Sequence, residues 1–137
     1  MSDGIVNHVG ICVTDIERSR RFYRDLLGFE DSWRLTPPDS ATSALLRVDP
    51  PVNLTAVYLT RGPFVLELLH YDRSGNPAPR ERPLNEPGLT HISFAVDDIA
   101  ATCARVEALG GTIASSICPA VGKTNCAASP PIDSFPT

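Results

Sequence analysis

The chain has 137 residues, of which 42% are hydrophobic and 20% charged, and its formal net charge is -4. This length and composition fit one globular domain, or two small units sharing a core, and exclude a large multidomain protein or a disordered chain. The acidic balance offers no basic surface to a phosphate backbone, so a nucleic-acid partner is not expected. The sequence contains no apolar run of bilayer length and no signal-peptide pattern, which predicts no membrane association and a cytoplasmic location.

The first predicted elements are a strand and a helix. Apolar residues alternate over 9–13 with the period of two that is typical of a half-buried strand. Thr14 and Glu17 have the spacing of a capping box, which predicts that a helix begins there. Apolar residues then recur at helical spacing until Gly28, which predicts where the helix ends.

A series of β-rich segments follows this helix. We predict a strand at 29–35 and, within a proline-rich region, a short strand at 44–48. The clearest signal is a hairpin whose two strands lie at 54–60 and 64–71. The residues 61–63 join these strands and contain the glycine and proline that favour a turn.

The segment 7–28 recurs later in the chain. Residues 90–111 align with it at a constant shift of 83 without a gap. The identical pairs are His8 and His91, Val13 and Val96, Asp15 and Asp98, Ile16 and Ile99, Leu26 and Leu109, and Gly28 and Gly111. We therefore predict two copies of one strand–helix unit.

The second copy predicts the same elements in the same order. A strand at 92–96 precedes a helix that is capped by Asp97 or Asp98. The glycine pair at 110–111 predicts the end of this helix, and 112–117 is predicted to form one further strand.

Glu67 is the single acidic residue of an otherwise apolar strand. An unpaired carboxylate is costly to bury, so Glu67 is expected to be paired, protonated or bound to a metal. Successive side chains of a strand alternate between its faces, so His70 is predicted to lie opposite Glu67 and outside any shared site.

His8 and His91 occupy equivalent positions of the two copies, and small residues follow each of them on the same strand face. With Glu67 they provide two histidines and one carboxylate, a set that suits Fe(II), Mn, Ni, Co or Zn and leaves positions for water or substrate. We therefore predict a divalent metal ion bound by His8, Glu67 and His91. The alternative is that both histidines are ordinary half-buried strand residues and that Glu67 pairs with an arginine.

Three segments carry a family resemblance, namely NHVGICVTDIERSRRFYRDLLGFE, FVLELLHY and GLTHISFAVDDIAATCARVEALGG. They resemble the vicinal oxygen chelate superfamily, which includes glyoxalase I, methylmalonyl-CoA epimerase, extradiol dioxygenases and bleomycin-resistance proteins. The pairing of LELLH with GLTHISFAVDDI is most similar to methylmalonyl-CoA epimerase and glyoxalase-like proteins. The resemblance implies metal ligands on the first and last strands of each module, which here correspond to His8 and Glu67 in the first module and His91 in the second.

The fold class implied by this resemblance is α+β, with paired βαβββ modules of the glyoxalase type. The first module is predicted at 4–71, a linker or lid at 72–88, a partial second module of strand, helix and strand at 89–118, and an irregular tail at 119–137. The shift of 83 places the counterpart of Glu67 at position 150, beyond residue 137, so the second module is expected to be incomplete and to lack a fourth ligand. The exposed edge of a short sheet favours pairing with another chain, so a homodimer is expected.

The resemblance implies an enzyme of the isomerase or lyase type, like methylmalonyl-CoA epimerase or lactoylglutathione lyase. Such an enzyme would use metal-assisted proton transfer alpha to a carbonyl of a small carbonyl or thioester substrate, with Glu67 as the catalytic carboxylate. Two alternatives stay open. The same three ligands match the composition of an extradiol ring-cleavage dioxygenase, which would bind iron and a catechol. Metal-free members of the superfamily instead bind drugs in a cleft, which Trp33, Tyr58 and Tyr71 would line.

Overall fold

The computed structural model describes residues 4–78, 80, 83, 85–113 and 128–129. The chain divides into two compact units, Met1–Pro77 and Ala78–Thr137, and each is described by itself. The first unit contains a four-stranded sheet and two helices, and the described part of the second contains one helix and a two-stranded sheet. Within these described ranges no helix has the length and apolar character needed to cross a membrane.

The first unit is built on a mixed sheet. Its elements are β1 (Val9–Cys12), α1 (Ile16–Arg21) continued by a π-helical turn (Phe22–Leu26), β2 (Glu30–Leu35), α2 (Asp39–Leu46), β3 (Leu54–Arg61) and β4 (Phe64–Tyr71). The sheet order is β1-β4-β3-β2, in which β1 runs parallel to β4 and the other neighbours are antiparallel. The predicted α+β class is confirmed, as are the strand after the first helix and the β3–β4 hairpin. Apart from α2, the order of elements is βαβββ.

One face of this sheet forms the core. The first helix packs across β3 and β4, and leucine side chains of both strands are fully buried beneath it. The buried set includes Ile16, Phe22, Tyr23, Leu26, Leu27 and Phe29 from the helical segment, and Val57, Leu59, Leu66 and Leu68 from the strands. Burying one such side chain contributes roughly 1.5–3 kcal/mol, so this face fixes the position of the strands. Alternate side chains of each strand are thereby directed to the other face.

Both helices of the sequence repeat begin at equivalent aspartates. The Asp15 carboxylate accepts a hydrogen bond from the backbone N–H of Arg18 at the start of α1. The Asp98 carboxylate accepts from Ala101 in the same way at the start of α3 (Ile99–Ala108). The backbone angles agree closely, with φ -131° and ψ 108° at Asp15 and φ -127° and ψ 105° at Asp98. The prediction that Asp97 or Asp98 caps the second helix is therefore confirmed for Asp98.

The predicted capping box of Thr14 and Glu17 is wrong. Because Asp15 is the N-cap, the helix begins one residue later than predicted and Glu17 is its second residue. The Glu17 carboxylate accepts hydrogen bonds from Arg20 and Arg34 at 3.1 and 2.7 Å instead of closing a box. A capping box needs a glutamate at the third helical position, and with Asp15 as the N-cap Glu17 stands at the second.

The two helices end at left-handed glycines, Gly28 with φ 67° and Gly110 with φ 79°. In the second copy the N–H of Gly111 bonds to the carbonyl five residues earlier, as in a Schellman motif. In the first copy the corresponding bond is made by Phe29 and reaches six residues back, because the π-helical turn is one residue wider. The gapless alignment therefore pairs Gly28 with Gly111, although the structural counterpart of Gly28 is Gly110.

The strand predicted at 44–48 is wrong, because most of this stretch belongs to α2. Thr42 is buried in this helix whereas Leu45 is 80% exposed, so α2 has no apolar stripe that the sequence pattern would reveal. Asp39 anchors the helix to the loop before β3, since its carboxylate accepts from two backbone N–H groups at 2.9 and 3.0 Å.

The described part of the second unit contains α3, β5 (Thr112–Ile113) and β6 (Ala128–Ser129), which pairs antiparallel with β5. The strand predicted at 92–96 does not form within these residues. Half-buried and exposed side chains do alternate there, but alternation of burial by itself does not make a strand. The strand predicted at 112–117 begins as β5, and its remainder lies outside the described residues. β6 lies in the stretch predicted to be an irregular tail.

Candidate functional site

The face of the sheet opposite the core carries a cluster centred on Glu67. In the register of the sheet, Glu67 on β4 lies between Gly10 on β1 and Tyr58 on β3. Tyr58 in turn lies beside Trp33 on β2. The side chains of these neighbouring residues therefore share one face with Glu67.

His8, immediately before β1, contacts the Glu67 carboxylate. The distance from His8 Nε2 to Glu67 Oε2 is 3.2 Å, and the two side chains are 35% and 13% exposed. His8 and Glu67, two of the three predicted metal ligands, are thus in direct contact, and their binding of a metal stays a prediction. The described partners of this carboxylate are His8 and Tyr58, and not the arginine of the alternative reading.

The other ring nitrogen of His8 is held by the preceding residue. His8 Nδ1 lies 2.7 Å from Asn7 Oδ1, an amide oxygen that only accepts hydrogen bonds, so Nδ1 carries a proton. In a neutral ring, Nε2 would then present its lone pair to the Glu67 carboxylate. A metal ion bound at this position would accept that lone pair and would pair with the carboxylate.

Tyr58 fixes the other oxygen of the carboxylate. Its hydroxyl donates a short hydrogen bond to Glu67 Oε1, and this bond, together with burial and the nearby negative charge, raises the pKa of Tyr58 to about 12. The Tyr58 ring stacks on Trp33 with centroids 5.6 Å apart. On its other side it meets the His8 ring edge-on, also at 5.6 Å. The phenol is therefore held on two sides while its hydroxyl points to Glu67.

Gly10 provides the space that the carboxylate occupies. A Cβ atom at this position would lie 3.2 Å from Glu67 Oε2 and 3.6 Å from Leu69 Cδ1. The first of these distances is short enough that the carboxylate would have to move by a few tenths of an ångström. The strand next to Glu67 thus accommodates the carboxylate because it has no side chain there.

His70 and His91 are the two remaining histidines. His70 faces away from Glu67, as predicted, and its Nδ1 lies 3.2 Å from the carbonyl oxygen of Val13. His91 belongs to the second unit, where it is exposed and its Nδ1 lies 2.9 Å from Thr90 Oγ1. Among the residues that the structure describes, no three His, Cys, Asp or Glu side chains form a metal cluster. The ligand set with His91 stays a prediction.

The link between Tyr58 and Glu67 was not predicted from the sequence, although Tyr58 was a candidate for the wall of a cleft. The predicted hairpin loop of 61–63 places residue 57, not Tyr58, opposite Glu67. In the structure Arg61 is part of β3 and pairs with Phe64, so the turn is two residues long. A two-residue turn is the commonest hairpin connection, and assuming it would have paired Tyr58 with Glu67.

A family model described as Glyoxalase/Bleomycin resistance protein/Dioxygenase superfamily matches residues 5–124 of the chain. The chain belongs to this superfamily. The resemblance inferred from its sequence motifs is therefore confirmed, and the βαβββ order of the first unit is explained by membership of this glyoxalase superfamily.

Two curated relatives of this glyoxalase-superfamily chain carry enzyme names. An ethylmalonyl-CoA/methylmalonyl-CoA epimerase from Cereibacter sphaeroides is 31% identical over 120 residues, which cover 87% of this chain and 81% of the relative. A lactoylglutathione lyase from Pseudomonas putida is 33% identical over 115 residues, which cover 77% of this chain and 66% of the relative.

A solved structure shows the same fold at low identity. It is a variant of the fosfomycin resistance protein FosX from Listeria monocytogenes, complexed with Mn(II) and 1S,2S-dihydroxypropylphosphonic acid. Its TM-score is 0.61 at 16% identity, and the match covers 91% of this chain and 82% of that one.

Proposed function

We propose that this chain is a divalent-metal-dependent enzyme of the isomerase or lyase type, which transfers a proton alpha to a carbonyl group. The observation that carries the proposal is the contact of His8 Nε2 with Glu67 Oε2 at 3.2 Å, with His8 Nδ1 occupied by Asn7. The enzyme names of the epimerase and lyase relatives support the reaction class. The Mn(II) named in the FosX structure supports the use of a metal on this fold.

The residues present suit a divalent ion. An imidazole nitrogen and a carboxylate oxygen are the donors that Mn, Fe(II), Co, Ni and Zn accept, and a ligating histidine usually donates its other N–H to an oxygen, as His8 does to Asn7. We propose His8 Nε2 and Glu67 Oε2 as two ligands. His91 is the third proposed ligand, and its Nδ1 is likewise held by the preceding side chain, Thr90.

A bound divalent ion would act as a Lewis acid that stabilises negative charge on a carbonyl oxygen of the substrate. The chain's own contribution begins with Glu67, the carboxylate beside His8, to which we assign the exchange of the proton. The Tyr58 hydroxyl donates to Oε1 of this carboxylate, whose other oxygen, Oε2, contacts His8. Trp33 covers Tyr58 and keeps water from one side of the phenol ring.

The substrate class follows from the reaction type. A carbon next to a thioester carbonyl, as in the substrate named for the epimerase relative, loses a proton more readily than an ordinary C–H, which suits it to a carboxylate base assisted by a metal ion. We propose a small thioester or hydroxycarbonyl compound as the substrate. A homodimer and a cytoplasmic location are further proposals, and both rest on the sequence.

The first test is the metal content of the purified protein, measured by mass spectrometry beside Glu67→Ala and His70→Ala. The parent and His70→Ala are expected to retain about one divalent ion per chain, whereas Glu67→Ala loses it, because His70 faces away from the site. Circular dichroism confirms that each variant is folded. A parent protein that takes up no ion after reconstitution with Mn, Co, Ni, Zn and Fe(II) contradicts the proposal.

The second test is activity. Deuterium exchange from solvent into a methylmalonyl thioester reports proton transfer at the carbon alpha to the carbonyl, and Glu67→Gln is the informative variant. This substitution retains an oxygen that can accept from Tyr58 but removes the basic carboxylate. A parent that binds metal and catalyses no exchange with either thioester or hydroxycarbonyl substrates would refute the assigned reaction class while leaving the metal site intact.

A further inference from the structure

Each oxygen of the Glu67 carboxylate has its own partner in the described first unit, and Tyr58 is one of the two. A glutamate side chain has three rotatable bonds, and contact with His8 at Oε2 alone does not fix the plane of its carboxylate. The bond from the Tyr58 hydroxyl to Oε1 supplies the second point, so the two oxygens are assigned to different partners.

The ring of Tyr58 is itself held in place. It lies between Trp33, which stacks on it with an interplanar angle of 25°, and His8, whose ring meets it at 89°. These contacts involve the ring and not the hydroxyl. The hydroxyl can therefore be removed while the packing of the ring is kept.

We propose that Tyr58 is a positioning residue, which directs Glu67 Oε2 toward His8 Nε2 through its hydrogen bond to Oε1. The effect on metal binding rests on the function proposed above, whereas the orientation of the carboxylate does not. Without the hydroxyl, Oε1 would accept a hydrogen bond from water instead, and the carboxylate would turn away from His8. The ring contacts with Trp33 and His8 would remain.

The variant that isolates this role is Tyr58→Phe, and Tyr71→Phe is its matched control. Tyr71 lies on β4 on the same face as Glu67, four residues along the strand, and is half-buried. Its pKa is raised, mainly by burial, so it resembles Tyr58 in environment without supplying the bond to Oε1. Both substitutions remove one hydroxyl oxygen from this face of the sheet.

Cobalt titration followed by visible absorption measures both affinity and ligand geometry. Residues that orient a ligand typically change metal affinity by roughly 10- to 100-fold when they are mutated. Tyr58→Phe is expected to bind Co(II) at least about tenfold more weakly than the parent and with an altered d–d spectrum, whereas Tyr71→Phe stays within about twofold. Equal affinities and spectra for the parent and Tyr58→Phe would overturn the proposal.

A metal-free crystal structure of Tyr58→Phe separates this proposal from the proposed function. The carboxylate of Glu67 is expected to leave its place beside His8 Nε2 while the phenyl ring that replaces the phenol keeps its stack on Trp33. If the carboxylate stays in place, Tyr58 does not position it, whether or not the protein binds metal. If it moves and the parent binds no Co(II), the positioning role holds and the metal-dependent function is the part that fails.

Discussion

Replacing Gly10 should separate the stability of the first unit from the integrity of its site. Gly10 lies on β1 directly beside Glu67, and a Cβ atom there would lie 3.2 Å from Oε2. Gly10→Ala requires the carboxylate to move by a few tenths of an ångström. Gly10→Val adds methyl groups that reach about 1.5 Å further over the same face, since this is the length of one more carbon–carbon bond. The carboxylate then cannot keep its place beside His8.

The substitutions at Gly10 should leave stability unchanged or raise it, but they should lower metal affinity. Alanine and valine restrict the unfolded chain more than glycine does, and valine also favours strands, so the free energy of unfolding should stay within about 1 kcal/mol of the parent or rise. A ligand displaced by about 0.5 Å no longer meets the geometry that a bound ion needs. Metal affinity should therefore fall at least about tenfold in Gly10→Val, or roughly 1.4 kcal/mol. The affinity of Gly10→Ala should lie between that of the parent and that of Gly10→Val.

Chemical denaturation and Co(II) titration measure these two quantities on the same preparations. Cys12→Val is the matched control, because it places the same side chain two residues further along the same face, beside Leu69 and not Glu67. This control should bind as the parent does. If Gly10→Val binds Co(II) as tightly as the parent, the space beside Glu67 is not what the site depends on.

Three further predictions concern caps, histidines and acid stability. Asp15→Ala and Asp98→Ala should each lower the free energy of unfolding, measured by urea denaturation, by about 1 kcal/mol. If Asp98→Ala leaves this free energy unchanged, Asp98 does not cap α3. His91→Ala should weaken metal binding far more than His70→Ala in a calorimetric titration, and equal losses would remove His91 from the ligand set. The Arg20 guanidinium of α1 lowers the pKa of the exposed Asp31 in the folded protein. This ion pair therefore stabilises the fold fully above the pKa that Asp31 has in the unfolded chain, and the stabilisation is lost as pH falls through the lower pKa of the folded state. Asp31→Asn should therefore reduce the acid-induced loss of stability below about pH 4 by no more than about 1 kcal/mol, and an unchanged pH profile would show that the pair contributes nothing.

The parts of the fold that the sequence predicted are those with a strong apolar or β-rich pattern. β1 was predicted from alternating apolar residues and the β3–β4 hairpin from two β-rich runs, and Leu66 and Leu68 are buried on the face opposite Glu67. α2 escaped prediction because its leucines are solvent-exposed and its anchor, Asp39, bonds to a distant loop. A contact over 13 residues leaves no periodic signal in the helix itself.

The site was predicted in part for a similar reason. His8 and Glu67 could be proposed from residue type and strand face, and the structure places them in contact. Tyr58 required the register of the hairpin, which depends on whether the turn has two or three residues. A shift of one residue in a strand turns every side chain to the other face, so this small uncertainty hid the third member of the cluster.

The two copies of the repeat also share a contact that is made by residues of different type. Asn7 and Thr90 are equivalent under the shift of 83 and differ in type, yet each places a side-chain oxygen within 2.9 Å of the Nδ1 of the histidine that follows it. An amide and a hydroxyl are interchangeable for this purpose, because either oxygen can accept from the ring N–H. In the metal site proposed above, Nε2 of each histidine would be the ligating nitrogen. What the two copies share at this point is the position of one side-chain oxygen beside Nδ1, although the residue that carries it differs.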